Sequence, residues 1–132
     1  MNRRTKRLLF VDDEASIRLT LPTILQQYGF DVQAASNVPE ALDMIENHRF
    51  DILLSDLNIG EPGDGFIVVR AMRKAQPKCV TIILTGYPAF DSAVQAIRDD
   101  VDDYIVKPAN IDTLVSTMER KLARRAKAQQ QS

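Results

Sequence analysis

Five short runs of β-branched and aliphatic residues, 7–12, 31–35, 51–55, 80–84 and 103–106, alternate with five segments whose apolar residues recur at helical spacing. Apolar runs this short and continuous read as strands buried on both faces. Their alternation with helices predicts an α/β domain in which a parallel sheet is covered on both sides. The third run, Asp51-Ile52-Leu53-Leu54-Ser55-Asp56, stops on a carboxylate. An acid there points out of the sheet edge where α/β folds place their ligand sites.

The helical segments carry their own start and stop signals. The first, about 15–28, sets Ile17, Leu21, Ile24, Leu25 and Tyr28 on one face and meets Gly29, which can stop it with a positive φ. Pro22 inside it forfeits a backbone hydrogen bond at a cost of about 3 kcal/mol if nothing relieves it, which predicts a kink or an irregular first turn. The second opens on Asn37 as cap, with Pro39 and Glu40 in the first turn and Ala41, Leu42 and Ile45 facing inward. The third, about 66–75, buries Phe66, Val69 and Met72 and cannot pass Pro77. The fourth, about 89–99, offers only Ala93, Val94, Ala96 and Ile97, and so thin a face packs weakly and moves easily. The fifth is capped by Asn110 and carries Ile111, Leu114, Val115, Met118 and Leu122.

Composition narrows this picture without redirecting it. A chain of 132 residues, 45% hydrophobic, builds one ordinary core, and a net charge of −1 recruits neither nucleic acid nor membrane. Arg120, Lys121, Arg124, Arg125 and Lys127 read as a solvated basic helix end, since no aromatic residues are interleaved for nucleic-acid binding. The single cysteine, Cys79, has no disulfide partner and fits packing in a reducing compartment. No apolar run approaches the roughly 20 residues of a membrane span, and the opening residues lack a secretory signal, so a cytoplasmic location is expected.

Chemistry-bearing residues sit at the ends of four of the five runs: Asp12 and Asp13, Asp56, Thr85, and Lys107. In a parallel sheet these ends share one edge, so the residues converge. Three carboxylates so placed raise one another's pKa unless a positive charge holds them ionised. A donor set of oxygens without His or Cys suits a hard cation, Mg²⁺ first, and Lys107 supplies a second compensating charge. These parts suit phosphoryl transfer, with Asp56 as the nucleophile and Thr85 beside small Gly86 leaving room for a tetrahedral oxyanion. Singly, each part has a plainer reading: an Asp pair before a helix is usually a cap, and Lys-Pro is usually a turn.

Across about residues 6–125 the chain resembles the receiver domains of two-component response regulators. The matching residues are Phe10-Val11-Asp12-Asp13-Glu14, the strand ending at Asp56, Leu84-Thr85-Gly86, and Tyr104-Ile105-Val106-Lys107-Pro108. The resemblance implies a doubly wound, flavodoxin-like sheet of strand order 2-1-3-4-5, an order for which a receiver is itself a known example. It implies that Asp56 accepts a phosphoryl group from a histidine kinase or histidine phosphotransfer protein. Mg²⁺ would be held by Asp13, Asp56 and the backbone carbonyl of Asn58, with Asp12 acting through water. Lys107 would contact the phosphoryl oxygens, Thr85 and Tyr104 would form the switch, and the Lys107-Pro108 bond would be cis. The switched surface would span the fourth helix, fifth strand and fifth helix, read by a downstream effector, by an output domain outside this stretch, or by a second copy in a phosphorylation-dependent dimer. Residues 1–125 are expected to form the domain and 126–132 a short polar tail without an effector domain.

The chain departs from the receiver pattern after the acceptor. Ile59-Gly60-Glu61-Pro62-Gly63-Asp64-Gly65 lacks the usual Met-Pro and is one residue longer. Its glycines predict mobility, a displaced Asn58 carbonyl and an approach of Glu61 to the site. Tyr87 is expected to screen attacking water. Three alternatives stand beside this reading. An aspartate-nucleophile, Mg²⁺-dependent phosphatase needs a second acid where Asn58 lies. A flavin-binding relative of the same fold needs a phosphate loop where Asp12, Asp13 and Glu14 stand. The third is a receiver-like interaction module that is never phosphorylated.

Overall fold

A computed structural model describes residues 5–86 and 90–131. The elements alternate as the pattern predicts: β1 (Lys6–Val11), α1 (Ala15–Gln27), β2 (Phe30–Ala35), α2 (Val38–Asn47), β3 (Ile52–Asp56), α3 (Asp64–Ala75), β4 (Val80–Thr85), α4 (Phe90–Arg98), β5 (Asp103–Val106) and α5 (Ile111–Gln131). The strands form one sheet in the order β2-β1-β3-β4-β5, every neighbouring pair parallel. The chain is thus a doubly wound α/β fold.

Period-2 alternation divides the core between the two faces of the sheet. Leu9, Val11, Leu53 and Ile83 face Ala41 and Ile45 of α2, Phe66, Val69 and Met72 of α3, and Ala96 of α4. Leu8, Phe10, Ile52, Leu54, Ile82 and Leu84 face Leu25 of α1 and Leu114, Val115 and Met118 of α5. Cys79 is buried in the first of these layers, and burial pushes its thiol well above the usual range, as suits packing.

Local signals set the helix ends. Asn37 Oδ1 accepts from the Glu40 amide at 2.8 Å, while Glu40 Oε1 accepts from the Ser36 amide at 3.1 Å, one residue earlier than in the usual reciprocal box. Asn110 Oδ1 accepts from the amides of Asp112 and Thr113. Gly29, at φ 96°, follows α1. α4 buries Ala96 alone and leaves Phe90 82% and Ile97 79% exposed, so its face is even thinner than expected.

α1 is one continuous helical segment that contains Pro22. Two expectations need correction. The start of α3 lies at Asp64, two residues before Phe66, because Gly63 takes a left-handed φ of 82° that turns the chain into the helix. α5 continues to Gln131, so residues 126–131 extend the helix rather than form a tail, and its last turn holds no basic residue. Within it Arg125 is tied down, with Nη2 2.7 Å from Asp102 Oδ1 and Nη1 donating to the Pro77 carbonyl.

Candidate functional site

The site lies along the C-terminal edge of the sheet. Asp12 follows β1, Asp56 ends β3, Thr85 ends β4 and Lys107 follows β5. One carboxylate oxygen from each of Asp12, Asp13 and Asp56 lies within 4.8 Å of the others. Lys107 Nζ reaches over them, 3.4 Å from Asp12 Oδ2 and 3.5 Å from Asp56 Oδ1. Thr85 is fully buried, and its carbonyl accepts from the Lys107 amide at 2.7 Å. The Lys107-Pro108 peptide is cis. The pattern of strand ends therefore brings together Asp12, Asp13 and Asp56, with the lysine in reach of Asp12 and Asp56.

Burial is the first cause of the raised pKa of Asp56. Lys107 opposes it, and the charge of Asp12 adds to it. Repulsion of Asp56 by Asp12 is thus present but secondary to desolvation. Asp12, 1% exposed at its side chain, is an ionisable group at a depth where charges need partners. Its Oδ1 accepts from the Glu14 amide at 2.8 Å and its Oδ2 faces Lys107, so it is no ordinary helix cap. The N-cap of α1 is Glu14, which makes no side-chain capping bond.

The loop after β3 is anchored, against the expectation of mobility. Ile59 is buried at 2% exposure, and four loop amides are engaged. Gly60 N–H donates to Asp13 Oδ2 at 3.0 Å, Glu61 N–H to Asp64 Oδ2, Gly63 N–H to Asn58 Oδ1 at 3.0 Å, and Gly65 N–H to the Leu57 carbonyl at 2.7 Å. Gly60 and Gly63 use positive φ, 87° and 82°. Gly65 serves differently: a Cβ there would lie 2.4 Å from the Asp56 carbonyl oxygen, so only glycine lets α3 start against the acceptor strand. Glu61 is exposed and stands outside the converging acids.

Tyr104 is half-buried against the core layer that includes Ile83 and Ala96. Its hydroxyl is buried and has no hydrogen-bond partner among the described residues. Tyr87 lies outside the described residues. Two contributors were not foreseen. Arg18 Nη1 donates to the Asp12 carbonyl at 2.9 Å, and Gly60 holds Asp13. A cation six residues after Asp12, one turn into a predicted helix, was the available signal for the first. The second had none, because it depends on the path of the longer loop.

Donor chemistry and charge suit a divalent cation: three carboxylates with only one lysine among them, and no nitrogen or sulfur ligand among the described residues of the cluster. Asn58 follows within two residues of Asp56, close in sequence to the converging acids.

Fold and site together define a doubly wound α/β domain with an acidic crevice at its strand ends. The response regulator receiver domain model matches residues 8–119, and the chain belongs to that family. Among curated proteins it is 31% identical over 116 residues to the transcriptional regulatory protein ZraR of Escherichia coli K12, covering 88% of this chain and 26% of that protein. The chain therefore spans about a quarter of the length of such relatives. Among solved structures, a receiver domain protein (CheY-like) of Methanospirillum hungatei JF-1 superposes with a TM-score of 0.88 at 31% identity, covering 93% of this chain and 98% of that one. A response regulator of Burkholderia pseudomallei with a phosphorylated aspartic acid, calcium ion and citrate superposes with a TM-score of 0.80 at 29% identity, covering 95% and 72%.

Proposed function

We propose that Asp56 is the phosphoacceptor of a Mg²⁺-dependent transfer from a phosphohistidine on a histidine kinase or phosphotransfer protein in the cytoplasm. The observation that carries this reading is the convergence of the Asp12, Asp13 and Asp56 oxygens within 4.8 Å beneath Lys107. An Asp56 carboxylate oxygen forms the new bond to phosphorus as the donor's phosphorus–nitrogen bond breaks, its electron pair staying with the leaving group. Lys107 is placed to meet the phosphoryl oxygens, and it already favours the ionised, nucleophilic form of Asp56. When bound, Mg²⁺ neutralises charge shared between the acids and the phosphoryl group. Asp13, Asp56 and the Asn58 backbone carbonyl are its proposed ligands, with Asp12 acting through water. The related regulator with a phosphorylated aspartic acid and a calcium ion supports an acceptor beside a divalent site.

The output is a surface. Thr85 and Tyr104 are the proposed switch pair: Thr85 lies buried at the site, and the Tyr104 ring packs inward with a hydroxyl unpaired among the described residues, a state that another arrangement can relieve. Next to them, α4 is held by one buried residue, and Phe90, Ile97 and Val106 (47% exposed) are apolar at the surface of α4 and β5. Phosphorylation shifts the balance between two arrangements of this α4-β5-α5 face, and a downstream effector, an output domain or a second copy reads the difference.

The test is to incubate the protein with Mg²⁺ and acetyl phosphate and weigh it intact. Wild type gains the mass of one phosphoryl group and Asp56→Asn gains none. An unmodified wild type, or equal modification of both, overturns the reading.

A further inference from the structure

We infer that Arg18 is a positioning residue for the metal pair, holding the Asp12–Asp13 peptide so that both carboxylates meet Asp56. The inference rests on the proposed function, in that it takes the acid cluster to bind a divalent cation.

β1 ends at Val11, and the chain leaves the sheet at Asp12, whose amide still pairs with the Ala35 carbonyl at 3.1 Å. The Asp12 carbonyl therefore lies at the point where sheet pairing gives out, in a residue with no exposed surface. A buried carbonyl needs a donor from elsewhere. Arg18, at the end of the first turn of α1, supplies it through Nη1 at 2.9 Å. That carbonyl belongs to the peptide joining the two acids, so its orientation governs the direction in which each side chain leaves the backbone.

The surrounding bonds show what is left to hold. Asp12 is tied by the Glu14 amide at Oδ1 and by Lys107 at Oδ2, and Asp13 is tied by the Gly60 amide at Oδ2. Each carboxylate is thus clasped from outside, while Arg18 clasps the backbone between them. Its hydrogen bond goes to a carbonyl, and among the described residues it forms no ion pair with the acids. It therefore orients the cluster without taking an oxygen that a cation would use. Groups that orient metal ligands in this way commonly change affinity about tenfold or more when removed.

Charge and position predict opposite signs, which makes the idea testable. A positive charge near a cation site weakens cation binding, so if Arg18 acted by charge alone its removal would tighten Mg²⁺. If it acts by position, removal loosens Mg²⁺. The experiment is calorimetric titration of Mg²⁺ into the unphosphorylated wild type, Arg18→Met and Arg18→Lys, with thermal melts of each in chelator. Arg18→Met keeps the apolar stem and drops the donor, and should bind about tenfold more weakly while still melting cooperatively. Arg18→Lys keeps a donor and should recover most of the affinity. Equal or tighter binding by a folded Arg18→Met overturns the inference. Where Arg18→Met does not fold, Arg18→Leu, which also lacks a donor, takes its place under the same criterion. Absence of Mg²⁺ binding by wild type overturns the cation reading itself, and the inference with it.

Discussion

Lys107 Nζ lies 3.5 Å from Asp56 Oδ1 and almost equally near Asp12 Oδ2, so one ammonium group offsets two carboxylates at the buried end of the site. The offset is incomplete, because burial and Asp12 leave the Asp56 pKa raised. A group with a raised folded-state pKa contributes stability that is full below its ordinary value and lost as pH rises through the folded value. The metal-free protein should therefore lose this contribution on going from acid toward neutral pH. Asp56→Asn should melt higher than wild type at neutral pH, with the difference vanishing in acid. Melts in chelator across that range check it; a variant that melts lower at neutral pH would contradict the sign.

Mg²⁺ should act in the same direction as the substitution. A cation that binds only the folded state adds stability that grows with its concentration, by about 2.7 kcal/mol at 100 times the dissociation constant. Wild type should melt higher with Mg²⁺ than with chelator, and Asp13→Ala should respond far less. Equal responses in the two proteins would remove Asp13 from the site.

Gly65→Ala should be strongly destabilising. The added Cβ meets backbone, 2.4 Å from the Asp56 carbonyl oxygen and 2.9 Å from Leu57 Cα, and neither can rotate away. Overpacking of this kind typically costs about 1–3 kcal/mol, and the displaced α3 start should also disturb the acceptor strand. Urea unfolding gives the first effect and acetyl phosphate labelling the second.

Gln76 ties the lower end of the domain together. Its Oε1 accepts from the Phe50 amide at 2.8 Å, and its Nε2 donates to the carbonyls of Ile45 and His48. Gln76→Ala leaves these backbone groups short of a partner and should lower stability by about 1–3 kcal/mol. Since the site lies at the opposite edge of the sheet, labelling of Asp56 should be unaffected below the unfolding transition.

Tyr104→Phe should be neutral or stabilising in the unphosphorylated protein, because it removes a buried hydroxyl that has no partner among the described residues. A denaturation midpoint lowered by the substitution would show that the hydroxyl is paired in solution.

Strands, helix caps and the convergence of polar residues at the strand ends were legible because each is written in local chemistry. The apolar runs ending at Asp56 and Thr85, the cap at Asn37 and the stop at Gly29 depend on neighbours within a few residues, and a parallel sheet then sends every strand end to one edge. The anchoring of the loop Ile59–Gly65 was not legible, because glycine content reports freedom, whereas the anchor is a contact with Asp13, 47 residues away. Nor was the full extent of α5, because a polar Lys/Ala/Gln stretch carries no apolar period, although its residues favour helix.

By itself the sequence determined an α/β fold with three acids, a threonine and a lysine on a common edge, since alternation and strand length leave few other solutions. Tertiary structure alone decided how those acids are held. Arg18 on the Asp12 carbonyl, Gly60 on Asp13, Gly65 against Asp56 and the inward hydroxyl of Tyr104 all depend on how packed elements meet. A hydrogen bond that forms only at a separation near 3 Å cannot be read from composition or period, because both record which residues are present and not the distances between them.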